Sequence, residues 1–139
     1  MDKRERWPRV LVADDIPEIV EKVRELLRHH CEVIDSVANG QQALSATMTL
    51  NPDILVLDIS MPILNGFEVA RSLRKSHCGA TIIFFTMHED RDYVDAAFSC
   101  GASGYVLKSR ASTDLLPAIE SALQHRTFTS PFQAHVGIT

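Results

Sequence analysis

The stretch Ile54-Leu55-Val56-Leu57-Asp58-Ile59-Ser60-Met61-Pro62 stands apart from everything around it. Four apolar residues, with Asn51 and Pro52 before them and Ser60 and Pro62 after, make a strand buried on both faces, as in the middle of a parallel sheet. Such a strand has no natural place for a charge, yet Asp58 closes it directly. A carboxylate at the carboxyl end of a central parallel strand lies where open α/β sheets hold their ligands. The plainer alternative is that Asp58 only starts the turn toward Pro62, and what else reaches the same edge decides between them.

Outward from this strand, the chain alternates strand and helix. Val10-Leu11-Val12-Ala13 is an apolar run ending in Asp14-Asp15, and Pro17 to His30 carries Ile19, Val20, Val23, Leu26 and Leu27 at helical spacing. Pro17 suits the first helical turn, and Arg28, His29 and His30 would complement the negative end of the dipole. Glu32 to Ala38 alternates as a second strand, and Asn39-Gly40 turns into a helix over Gln41 to Leu50. Beyond Asn65-Gly66, Phe67 to Lys75 sets Phe67, Val69, Ala70 and Leu73 on one helical side. Thr81 to Thr86 is a fourth strand, Asp90 to Cys100 a weaker helix stopped by Gly101, and Gly104-Tyr105-Val106-Leu107 a fifth strand ending in Lys108. Ser112 or Thr113 caps a last helix, with Pro117 accommodated in its first turn. Five βα units predict a five-stranded parallel sheet, doubly wound, with every strand's carboxyl end on one edge.

Composition bounds what that edge can serve. The 139 residues, 45% of them hydrophobic, suffice for one domain with its own core. Cys31, Cys78 and Cys100 show no paired spacing and predict a reducing compartment without a zinc site. The N-terminal extension is charged, and no stretch approaches the roughly 20 apolar residues that span a bilayer, so a cytoplasmic protein without membrane contact is expected. With a net charge of −4 and scattered Lys and Arg, the chain itself has no footprint for DNA.

Asp14, Asp15, Asp58, Thr86 and Lys108 each follow an apolar strand, on four different strands. Singly they read as helix-start acids, a strand-end hydroxyl and a solvated lysine, and only the set is informative. Clustered carboxylates raise one another's pKa unless a cation intervenes, and an all-oxygen acidic set favours a hard divalent ion, Mg²⁺. Mg²⁺ leaves Asp58 free to act as a nucleophile, and a phosphoryl group is the fitting electrophile. Lys108 supplies a point charge and Thr86 a hydroxyl donor to its oxygens.

These residues, with Met61-Pro62 and Asn65-Gly66 after Asp58 and Gly104-Tyr105-Val106-Leu107-Lys108, resemble the receiver domain of two-component response regulators, a CheY-like, flavodoxin-like fold. Gly101-Ala102-Ser103-Gly104-Tyr105 is most similar to receivers of the NarL/FixJ (LuxR-type) kind. The likeness implies a receiver over residues 9–126, after an extension at 1–8 and before a linker or flexible tail at 127–139. It implies that Asp58 accepts a phosphoryl group from a sensor histidine kinase or phosphotransfer protein, and that Asp15, Asp58 and the Ser60 backbone carbonyl hold Mg²⁺, with Asp14 acting through a water. Thr86 and Tyr105 would form a switch pair, Tyr105 turning from exposed to buried on phosphorylation, with homodimerisation as one outcome. Ser60 and His88, two positions beyond Asp58 and Thr86, would tune dephosphorylation. The implied output is transcription, through a helix-turn-helix domain that these residues do not include.

Ser109 stands where many receivers have proline, which leaves the isomer of the Lys108-Ser109 bond open, a cis form costing about 2.5 to 4 kcal/mol. Two other functions compete. A binding-only pseudo-receiver would lack an acid, the Thr or the Lys, and none is missing. A Mg²⁺-dependent phosphatase working through an aspartyl phosphate would want a second acid two residues after its nucleophile, where Ser60 stands instead. The expectation is therefore a phosphoacceptor that is not an enzyme beyond its own phosphorylation and slow dephosphorylation.

Overall fold

The structure, a computed structural model, describes residues 6–132. The flexible tail expected at 133–139, and the first five residues of the N-terminal extension, lie outside the described residues. In chain order the elements are β1 (Arg9–Ala13), α1 (Pro17–Leu27), β2 (Glu32–Val37), α2 (Gly40–Leu50), β3 (Ile54–Leu57), α3 (Gly66–Lys75), β4 (Thr81–Thr86), α4 (Arg91–Ser99), β5 (Gly104–Leu107), α5 (Ala111–Leu123) and β6 (Phe128–Thr129). All strands pair in parallel, in the order β2-β1-β3-β4-β5-β6.

Period-two alternation along the central strands divides the core into two layers. Leu11, Leu55, Leu57, Ile82, Phe84 and Tyr105 face Ala43, Val69, Ala70, Leu73 and Ala97 of α2, α3 and α4. Val10, Val12, Ile54, Val56, Ile83, Phe85 and Val106 face Val23 and Leu27 of α1 and Leu115, Ala118, Ile119 and Ala122 of α5. Since β1, β3, β4 and β5 are continuous apolar runs and β2 alternates, β1 to β5 are what these residues predict. Asn39, Asn65 and Asp90 start α2, α3 and α4 as N-caps, Asn65 forming a reciprocal capping box with Glu68.

Several expectations are corrected. The sheet has six strands rather than five: Phe128–Thr129, expected as linker, lies parallel beside Gly104–Tyr105. Two residues carry no periodicity to read, and backbone bonds hold this strand, Phe128 N donating to the Ser103 carbonyl at 3.1 Å and Ser130 N to that of Tyr105 at 2.9 Å. Helix α1 stops at Leu27, and Arg28 to His30 form the turn after it, with His29 at φ 70°. Neither Ser112 nor Thr113 caps α5, because a 3₁₀ turn over Lys108–Arg110 starts the spiral early. Pro117 therefore falls in the second turn, on the exposed side, where its missing N–H leaves the Thr113 carbonyl to solvent. No cis peptide bond occurs among the described residues, so Lys108-Ser109 is trans.

The loop after β3 contains a strained residue. Ile63 sits at φ 73° in a three-residue turn closed by Leu64 N on the Pro62 carbonyl, 2.9 Å, and its side chain is 72% exposed. A left-handed conformation costs a β-branched residue about 1–2 kcal/mol, and no packing offsets it here. Ile63→Gly should raise the denaturation midpoint by the equivalent of roughly 0.5–1 kcal/mol after the entropy cost of glycine.

Candidate functional site

Strand register assembles the site. Ala13 lies opposite Leu57, so Asp14 and Asp58, one residue further on, emerge side by side from β1 and β3, where strand order reverses. Thr86 ends β4 opposite Leu107, which delivers Lys108 just beyond it. Asp58 N donates to the Ala13 carbonyl at 3.0 Å and Asp14 N to that of Val37, so the backbones of both residues continue the sheet.

Asp14, Asp58 and Thr86 are buried, whereas Asp15 and Ser60 are exposed. The Lys108 ammonium lies 2.7 Å from Asp14 Oδ2 and donates to Asp58 Oδ2 at 3.2 Å. Its approach to Asp14 is off the angle of a hydrogen bond, leaving Asp14 Oδ2 a buried oxygen without such a partner. Burial holds the Asp58 carboxyl above its ordinary pKa; Lys108 opposes this and Asp14 adds to it.

One oxygen from each of Asp14, Asp15 and Asp58 lies within 4.8 Å of the others. Three carboxylates against one ammonium leave an excess of two negative charges. An all-oxygen set with that imbalance fits a hard divalent ion. Two glycines allow the packing beside it. A Cβ on Gly66 would run into the Asp58 carbonyl oxygen and come within 2.9 Å of Ile59 Cα, and one on Gly40 would run into the Leu64 carbonyl.

A cleft of about 450 Å³ opens over Asp58, lined by Asp15, Ile16, Ser60, Thr86, Met87, His88 and Lys108. Ser60 Oγ and His88 Nε2 are 3.0 Å apart, and Thr86 Oγ1 accepts from His88 N at 3.2 Å. Tyr105, expected outside before phosphorylation, is fully buried, its hydroxyl donating to the His88 carbonyl at 2.8 Å. Asp15, Asp58, Ser60, Thr86, His88 and Lys108 thus line this cleft, Asp14 is buried beside it against Lys108, and Tyr105 reaches the loop that forms its wall. Ile16 and Met87 were missed: they bring apolar surface, 38% and 73% exposed, to the rim. The available signal was an apolar residue directly after a strand-end polar group.

Comparisons with known proteins bear on the family of the chain. A model of the response regulator receiver domain matches residues 10–120. The transcriptional regulatory protein YvfU of Bacillus subtilis, itself uncharacterized, is 33% identical over 125 residues, 88% of this chain and 62% of that one. The nitrate/nitrite response regulator NarL of Escherichia coli is 32% identical over 115 residues, 81% of this chain and 53% of that one. This chain therefore spans little more than half the length of these relatives. Among solved structures, a LuxR-family two-component response regulator from Aurantimonas sp. SI85-9A1 superposes with a TM-score of 0.85 at 35% identity, covering 90% of this chain and 91% of that one. The signal receiver domain of the NarL response regulator of Mycobacterium tuberculosis gives 0.83 at 28% identity, covering 87% and 99%. With more than half of its length matched by the family model, and these relatives beside it, the chain belongs to the response regulator receiver domain family.

Proposed function

We propose that this chain is a phosphoacceptor switch in which Asp58 takes a phosphoryl group from a sensor histidine kinase or phosphotransfer protein. The observation that carries this reading is the convergence of Asp14, Asp58 and Lys108 on contacts of 2.7 and 3.2 Å at the sheet's switch point, with Thr86 on the same cleft. An Asp58 carboxylate oxygen attacks phosphorus, a P–O bond forms, and the P–N bond of the donor breaks. Its electron pair stays on the donor imidazole, which takes up a proton. Lys108 moves from two carboxylates to the incoming phosphoryl oxygens, and the Thr86 hydroxyl donates to another. Asp15, Asp58 and the Ser60 carbonyl would hold Mg²⁺, with Asp14 through a water. Bound there, Mg²⁺ supplies charge neutralisation to the phosphoryl oxygens. No second acid stands where phosphatase turnover would want one, which favours a signalling switch over an enzyme. Output through transcription, with a homodimer forming on phosphorylation, is the corresponding role for the longer protein that relatives of this kind suggest.

Acetyl phosphate with Mg²⁺ should add one phosphoryl group, seen by intact mass, and none with a chelator or in Asp58→Asn. Equal modification of Asp58→Asn would sink the proposal. The Ser60–His88 pair flanks the path of hydrolytic water, so Ser60→Ala and His88→Ala should each change the phosphoryl half-life by about fivefold, the rate equivalent of roughly 1 kcal/mol. Half-lives unchanged in both variants would remove these residues from that role.

A further inference from the structure

The face made of α4, β5 and α5, which carries Tyr105, is not open along its β5 edge. The chain's own residues 128–132 lie there. Ser130 is 1% exposed and makes three bonds at the junction of β5 and α5. Its N–H donates to the Tyr105 carbonyl at 2.9 Å, its hydroxyl donates to Asp114 Oδ2 at 2.7 Å, and the same oxygen accepts from Leu107 N at 3.1 Å. Asp114 is buried in the first turn of α5 and is also held by Arg110 Nε at 2.7 Å and Thr113 Oγ1 at 3.0 Å. The Phe132 ring packs on Tyr105, centroids 6.4 Å apart.

These contacts bracket the two groups through which an event at Asp58 would leave the site. Leu107 and Arg110 flank Lys108, and both are tied to Ser130, one directly and one through Asp114. Tyr105 is gripped at its carbonyl by Ser130 and at its ring by Phe132. A Tyr105 ring swung out of the core toward the sheet edge would meet Phe132, so the inward ring and the seated segment require one another. Drawing Thr86 toward a phosphoryl group favours the inward ring and therefore favours the seat.

We propose that residues 128–132 are an intramolecular strap whose hold on the β5 edge tightens when Asp58 is phosphorylated, so that the residues after Phe132 receive the signal by being tethered. Ser130 acts as a positioning residue, through Leu107 and Asp114, and not on the phosphoryl group. The strap's response rests on the phosphoacceptor reading above, but its occupancy of the edge does not.

Hydrogen exchange at the Phe128 and Ser130 amides tests both parts, using the full chain with Mg²⁺ and beryllofluoride as the phosphoryl mimic. In the mimic-free chain these amides should already exchange more slowly than unstructured ones, and exchange as fast as a free peptide would overturn the strap. Beryllofluoride should slow them by about fivefold or more, the effect of one well-formed hydrogen bond. In Ser130→Ala the amides should lose protection by a similar factor, and by reciprocity beryllofluoride should bind correspondingly more weakly. Phe132→Ala should show both effects even if Ser130→Ala folds poorly. Beryllofluoride binding at Asp58, seen by fluorine NMR, without any change at the strap would overturn the coupling alone. No binding at Asp58 would overturn the phosphoacceptor reading and the coupling with it, leaving the mimic-free exchange to judge occupancy.

Discussion

Lys108→Met is expected to cost the metal-free chain about 3 kcal/mol of stability, and Mg²⁺ should restore most of that loss. The Lys108 side chain is 6% exposed and stands between Asp14 and Asp58 at 2.7 and 3.2 Å. Removing one member of a buried ion pair leaves its partners charged and uncompensated, and the low end of the usual penalty applies because the cleft admits water to one side. The same substitution removes the influence that lowers the Asp58 pKa while leaving burial and Asp14, which raise it. A carboxyl whose folded pKa exceeds its unfolded value stabilises the fold while protonated, and that contribution is lost as pH rises through the raised value. The variant should therefore lose more stability than the parent as pH rises from acid through the carboxylate range toward neutrality. A divalent ion compensates the carboxylates directly, so the Mg²⁺-induced rise in melting temperature should be larger in Lys108→Met than in the parent. Equal Mg²⁺ responses in the two would show that Lys108 does not neutralise this cluster.

Gly66→Ala is expected to cost about 3 kcal/mol and to slow phosphorylation in the molecules that remain folded. Gly66 opens α3 with its N–H on the Ile59 carbonyl at 2.8 Å, and a methyl there would meet the Asp58 carbonyl oxygen, Ile59 Cα and Phe84 Cε1. Two of those three atoms are backbone, so no rotamer change relieves the clash, and the residue that moves is Asp58 itself. Gly79 gives the control: an added Cβ there meets nothing within 4 Å, and Gly79→Ala should stay within about 0.5 kcal/mol of the parent. Urea denaturation of the two variants checks the stability difference, and acetyl phosphate kinetics the displacement of Asp58.

The parts legible in the sequence are those where one residue's chemistry conflicts with its surroundings. Asp58 after Ile54-Leu55-Val56-Leu57, Thr86 after a run of apolar residues and Lys108 after Tyr105-Val106-Leu107 are polar groups at the ends of buried strands, and strand polarity alone brings such ends together. Less legible was whatever depends on spacing in three dimensions. Ser130 looked like linker because its three bonds run to residues 16 to 25 positions earlier, and no local pattern marks them. The start of α5 was misplaced because Lys108–Arg110 turn through backbone geometry rather than through a capping side chain. Ile63 gave no warning of its positive φ, since isoleucine is a residue that turn rules would not place there. The inward position of Tyr105 was not legible either, since it depends on the His88 carbonyl and the Phe132 ring, neither of which is near it in sequence.

The central claim is that Asp58, and no other side chain of the cleft, carries the phosphoryl group. Borohydride reduction of the chain after treatment with acetyl phosphate and Mg²⁺ converts an aspartyl phosphate to homoserine, and peptide mapping reads its position. Homoserine at position 58 alone is the predicted result. Homoserine at position 14 or 15, or a phosphoryl group that resists reduction on Ser60 or Thr86, would contradict it.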